Sequence, residues 1–107
     1  MEVIKMAIIL LTIWYPLNKA IDMAKLYLKQ PRELPYITKW RVFNTSGGLD
    51  GGKQYHLLYT ERGKGEEANT EITKYFIPFA NEIEGLRFLS ENLTGITETY
   101  KTIGMKW

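Results

Sequence analysis

Cysteine is absent from this 107-residue chain, which removes disulfide staples, thiolate metal sites and cysteine nucleophiles together. Histidine occurs once, as His56, so one chain cannot supply a multi-histidine metal site. Neither charge is in marked excess: fourteen Lys and Arg stand against twelve Asp and Glu, and the basic residues are scattered rather than blocked. A nucleic-acid partner is therefore not expected. Also missing are a Gly-x-Ser-x-Gly nucleophile elbow and the acidic ladder of a calcium loop. The carboxylates offer no acid–base pair, because Glu82 and Glu84 flank a helix end while Glu66, Glu67 and Glu71 fall in a solvated stretch. The longest apolar run, Val3 to Tyr15, is shorter than the roughly 20 residues of a membrane span. Its flank carries one Glu and one Lys and no small-x-small cleavage site follows, which argues against a secretory signal. The expectation is a cytoplasmic protein with no membrane partner, in which the N-x-S/T triplets at Asn44 and Asn92 are chance matches.

What is present is enough apolar material for one core in a single domain spanning residues 1–107. The run VIKMAIILLTIWY is apolar at both parities. Ile4, Met6, Ile8, Leu10 and Trp14 point one way along a strand, and Val3, Ala7, Ile9, Leu11 and Ile13 the other. Such a strand belongs in the middle of a sheet. Pro16 opens a helix with Leu17, Ala20, Ile21, Ala24 and Leu28 on its inward face, and Pro31 stops it. After the PRELP connector, YITKWRVFNT (36–45) and KQYHLLYTE (53–61) read as strands joined by the glycine-rich turn SGGLDGG, hence as an antiparallel hairpin. A second helix follows, with Ala68, Ile72, Tyr75, Phe76, Phe79 and Ile83 as its apolar stripe and Pro78 kinking or ending it. LRFLSE (86–91) is the fourth strand. Residues 92–107 form a C-terminal extension in which Thr94 caps a short helix over ITETYKTI.

Strand, helix, strand, strand, helix, strand with right-handed crossovers predicts an α+β fold of the ferredoxin-like βαββαβ type. Its four-stranded antiparallel sheet has the first and third strands central and two helices on one face. The uncovered face still carries large apolar side chains; either the C-terminal tail folds across it or a second copy packs sheet against sheet, and the second is the expected cover, giving a homodimer. A charge at the outward parity of the first strand, Ile9 or Ile8, would split it. On the long first strand ending in WYP, the glycine-rich hairpin before KQYHLLYTE and the IEGLRF segment leading into the last strand, residues Val3 to Glu91 resemble the dimeric α+β barrel superfamily. Antibiotic-biosynthesis-monooxygenase-like proteins and muconolactone isomerases are among its members. The resemblance implies the dimer and a range of roles from cofactor-free oxygenase and isomerase to small-ligand sensor, and it carries no catalytic motif.

His56 titrates nearest neutral pH and is the candidate general acid or base. The aromatic residues Tyr36, Trp40 and Tyr59 would border a pocket beside it, with Trp40 and His56 on the same side of the hairpin. The SGGLDGG loop precedes a strand, not a helix, so it reads as a turn and not as a phosphate cradle. Arg62 and Lys64 are a weak anion site, since Glu66 and Glu67 already occupy that helix end. Two functions follow: a non-catalytic module binding a small apolar or aromatic ligand without a cofactor, or a cofactor-independent enzyme of monooxygenase or isomerase type in which His56 shuttles a proton. A barrel packed solid, serving as an assembly subunit, is the third reading.

Overall fold

The computed structural model describes residues 7–46 and 51–106; the beginning of the expected first strand and most of the glycine-rich turn lie outside the described residues. Four strands and three helices follow one another: β1 (Ile8–Tyr15), α1 (Ala20–Lys29), β2 (Ile37–Ser46), β3 (Gly52–Thr60), α2 (Gly65–Glu82), β4 (Arg87–Leu93) and α3 (Ile96–Thr102). The fold is α+β, with a single sheet in the order β2-β3-β1-β4 and every neighbouring pair antiparallel. β1 and β3 are therefore the inner strands, where a segment apolar on both sides belongs.

Register decides which half of each strand meets the helices. Ile9, Leu11 and Ile13 stand opposite Leu58, His56 and Gln54, and all six are buried. Met23 and Leu26 from α1, Ile72, Phe76 and Phe79 from α2, and Ile83 just beyond it close over them. Both helices thus lie on one face of the sheet, and each fully buried side chain of this size contributes about 1.5–3 kcal/mol. On the other face Ile8, Leu10 and Trp14 are only half-buried, so the odd positions of β1 point inward. A charge at Ile9 would therefore disrupt the core, and Ile8 and Leu10 are the outward positions.

Three local readings need correction. The inward face of α1 carries Met23, Leu26 and Tyr27, whereas Leu17, Ile21 and Leu28 are more than half exposed. The helix is apolar along two stripes, and the stripe that can place a tyrosine hydroxyl over the polar pair Gln54 and His56 is the one turned in. In β2 the register skips Thr38 between Ile37 and Lys39. This bulge brings Ile37 to the same side as Trp40, against the core, where strict alternation had separated them. Tyr36 is not in the strand but precedes it at φ 67, its carbonyl accepting the Glu61 N–H at 2.7 Å. The last helix is capped by Gly95 rather than Thr94.

The apolar stripe expected for α2 is the buried one, with Ile83 buried just beyond the end of the helix. The helix runs past Pro78 to Glu82 and buries Ala68, Ile72, Tyr75, Phe76 and Phe79. α3 buries none of its residues fully, and Ile96, Ile103 and Met105 stay exposed. The whole body measures only 17 Å along its shortest axis.

The hairpin joins the body through glycine. Gly51 has φ 83, and a Cβ there would meet the Tyr15 carbonyl oxygen at 2.7 Å; both its conformation and the space around it exclude a side chain. Gly51→Ala is expected to cost about 2 kcal/mol, read as a lowered urea midpoint. Gly95→Ala, at a site with nothing within 4 Å, should shift the midpoint far less.

Candidate functional site

The polar residues buried on the helix-facing side of β3 organise the site. Gln54 and His56 are two residues apart and share that face, and α1 delivers Tyr27 onto them. Trp40 reaches them from β2, whose partner across the ladder is Leu58. Four aromatic rings pack around the imidazole and each other. His56 meets Phe76 edge-on at 5.2 Å and Tyr27 stacked at 5.9 Å, while Trp40 meets Tyr75 edge-on at 5.1 Å. Contacts of this kind add about 0.5–1.5 kcal/mol each beyond the area they bury.

The hydrogen bonds have one consistent direction. Trp40 Nε1–H can only donate, and it lies 3.0 Å from His56 Nδ1. Nδ1 must therefore be the bare, accepting nitrogen, which puts the proton of the neutral ring on Nε2. From Nε2 the next contacts are Tyr27 Oη at 3.0 Å and Gln54 Oε1 at 3.3 Å. The Tyr27 hydroxyl in turn donates to Gln54 Oε1 at 2.7 Å. Every proton in this chain has an acceptor, and the chain ends on one amide oxygen.

Burial pushes His56 down to about 4 and leaves it neutral at physiological pH. Burial, with Tyr75 and Tyr15 adding to it, holds the Tyr27 phenol well above the ordinary tyrosine range, and burial raises Tyr75 as well. The network is thus uncharged.

Beside it lies a cavity of about 390 Å³. It is lined by the rings of Tyr27, Trp40 and Tyr75 with Val42, by the buried Gln54 and the exposed Asn44, and by the exposed Arg32 beyond the end of α1. Trp40 and His56 are brought together as the sequence reading requires, with Trp40 in the cavity wall and His56 fully buried behind it. Tyr59 pairs with Ile8 on the opposite face of the sheet, under the Lys39 ammonium at 5.6 Å. Tyr36 is half-exposed in the turn before β2 and lies outside this cavity. Tyr27, Gln54 and Arg32 went unrecognised in the sequence; the available signal was a glutamine and a histidine at the same parity of an otherwise apolar strand. Among the described residues no group of three or more His, Asp or Glu is placed to hold a metal ion, and no helix is long and apolar enough to cross a membrane.

The chain matches no family model, and no curated protein or solved structure is similar enough to it to count as a match.

The network makes stability depend on pH in a definite direction. An unfolded histidine takes up its proton near pH 6.5, whereas His56 in the folded chain does so near pH 4. Between those values the unfolded state binds the extra proton, so stability is complete above pH 6.5 and falls as the pH drops towards 4 by about 3 kcal/mol. Urea midpoints across that range check the loss. Trp40→Phe removes the donor that occupies Nδ1, and NMR titration of the His56 ring should then move its midpoint up from about 4.

Proposed function

We propose that the chain is a small-ligand-binding module of the dimeric α+β barrel type, built on a ferredoxin-like βαββαβ frame. The observation that carries the binding reading is the cavity of about 390 Å³, walled by three aromatic rings and backed by a buried, uncharged network. Its size falls within the roughly 300–1,000 Å³ of small-molecule sites, and its make-up of apolar walls with few polar groups is theirs too. The geometry lends no support to proton shuttling by His56: both ring nitrogens are engaged, the ring stands behind the cavity wall, and it is neutral. A binding role asks nothing of His56 except that it hold Trp40, Tyr27 and Gln54 in place.

The bare face of the sheet supports the dimer. Register arranges it in cross-strand rows, with Lys39, Tyr59, Ile8 and Leu93 in one, Arg41, Leu57, Leu10 and Glu91 in the next, and Phe43, Tyr55, Thr12 and Leu89 in the third. Turning a second copy about an axis along the strands lays β2 over β4 of the partner. Arg41 then faces Glu91 of the partner subunit, and Leu10 faces Leu57 of the partner subunit. The row is self-complementary in both charge and apolarity, which a two-fold interface requires.

Native mass spectrometry of the purified protein, before and after denaturation, tests both parts. The expected spectrum is a dimer carrying a small adduct that denaturation releases, with the adduct lost in Val42→Trp, which fills the cavity. Leu10→Asp should give monomer. Arg41→Glu and Glu91→Arg should each weaken the dimer about tenfold, and the two together should restore it. A wild type that is monomeric at micromolar concentration would refute the assembly, and a bare dimer that binds no added aromatic would refute the module.

A further inference from the structure

We infer that the cavity selects a planar aromatic molecule bearing a hydrogen-bond acceptor, a carboxylate foremost, and that Gln54 and Arg32 make the selection. This rests on reading the cavity as a ligand site, and it comes from counting which polar atoms remain unspent around it. Trp40 N–H is committed to His56, the Tyr27 hydroxyl to Gln54, and the Gln54 oxygen accepts from both Tyr27 and His56. Flipping the Gln54 amide would set the carboxamide NH₂ against the His56 Nε2–H and take away the acceptor of the Tyr27 hydroxyl proton. The NH₂ is consequently the end of Gln54 left for an occupant, and no acceptor among the described residues meets it.

The second unspent group is Arg32. It follows Pro31 at the end of α1, lines the cavity, and has no carboxylate partner among the described residues. Among the described residues no acidic side chain lines the cavity. Asn44 and Tyr75 can give or take a hydrogen bond, so the fixed polar groups are donors only. A cationic or purely donating ligand would leave them unmatched, whereas an acceptor on a flat ring would meet Gln54 and Arg32 while the ring lies against Trp40 and Tyr75. A guanidinium adds charge-assisted strength if that acceptor is a carboxylate.

Two probes with the same ring and opposite charge separate the possibilities: 2-naphthoate and 2-naphthylmethylamine, titrated calorimetrically into the full chain. The expected result is that 2-naphthoate binds at least about tenfold more tightly, the worth of one charge-assisted hydrogen bond. Arg32→Glu, a rim change that leaves the core untouched, should reverse the preference. Gln54→Glu should weaken 2-naphthoate by a similar factor; if that variant does not fold, Arg32→Glu still decides. Equal affinities for the two probes, unchanged in Arg32→Glu and abolished by Val42→Trp, would overturn the selectivity and leave the ligand site standing. Binding of neither probe would also overturn it, and the presence or absence of a native adduct would then say whether the cavity reading falls with it.

Discussion

A strand that is apolar on both sides has to be covered twice, and β1 sets that requirement for the whole molecule. Ile9, Leu11 and Ile13 are satisfied by the two long helices, which the crossovers from β1 to β2 and from β3 to β4 carry to the same face. Ile8, Leu10 and Trp14 receive only their cross-strand neighbours. The two long helices form one layer on one side of the sheet, and α3 buries none of its own residues fully. The requirement that places β1 in the centre therefore also leaves a face on which Ile8, Leu10 and Trp14 are only half-buried.

On the covered face the governing interaction is the hydrogen bond from Trp40 to His56. It fixes the imidazole tautomer, and through Nε2 that choice propagates to Tyr27 and to the orientation of the Gln54 amide. A fully paired polar network stiffens a core, while a half-paired one would cost several kcal/mol in desolvation. Here no buried polar side-chain atom among the described residues lacks a partner. Two of the aromatic side chains that line the cavity, Trp40 and Tyr27, are thus tied from behind by side-chain hydrogen bonds.

Much of this frame is legible in the residues. The inner placement of β1, the hairpin of β2 and β3, and the buried stripe of α2 follow from periodicity, because α2 has one continuous apolar stripe and only Ile77 as a large aliphatic residue outside it. α1 has two such stripes, and spacing alone cannot choose between them. Tertiary contact does, through the Tyr27 hydroxyl that Gln54 and His56 need. The site is legible to the extent that two residues of one hairpin can be placed by parity, hence Trp40 and His56. Tyr27 and Arg32 come from a helix and the connector after it, and their arrival depends on how α1 rolls against the sheet. Tyr36 and Tyr59 looked equivalent to Trp40 in composition; a left-handed backbone at Tyr36 and the strand parity of Tyr59 take them elsewhere.

The bulge at Thr38 matters at the border of the sheet as well as in its interior. β2 and β4 are edge strands, with unpaired backbone groups to which a stray extended chain could attach and from which a fibre could grow sideways. A skipped residue in β2 breaks the even spacing that such a chain would need, and the nearby Lys39 and Arg41 add like charge along the same edge. On β4, Arg87 and Glu91 interrupt the apolar row. Lateral growth is discouraged at both borders of the sheet by its own backbone irregularity and charge.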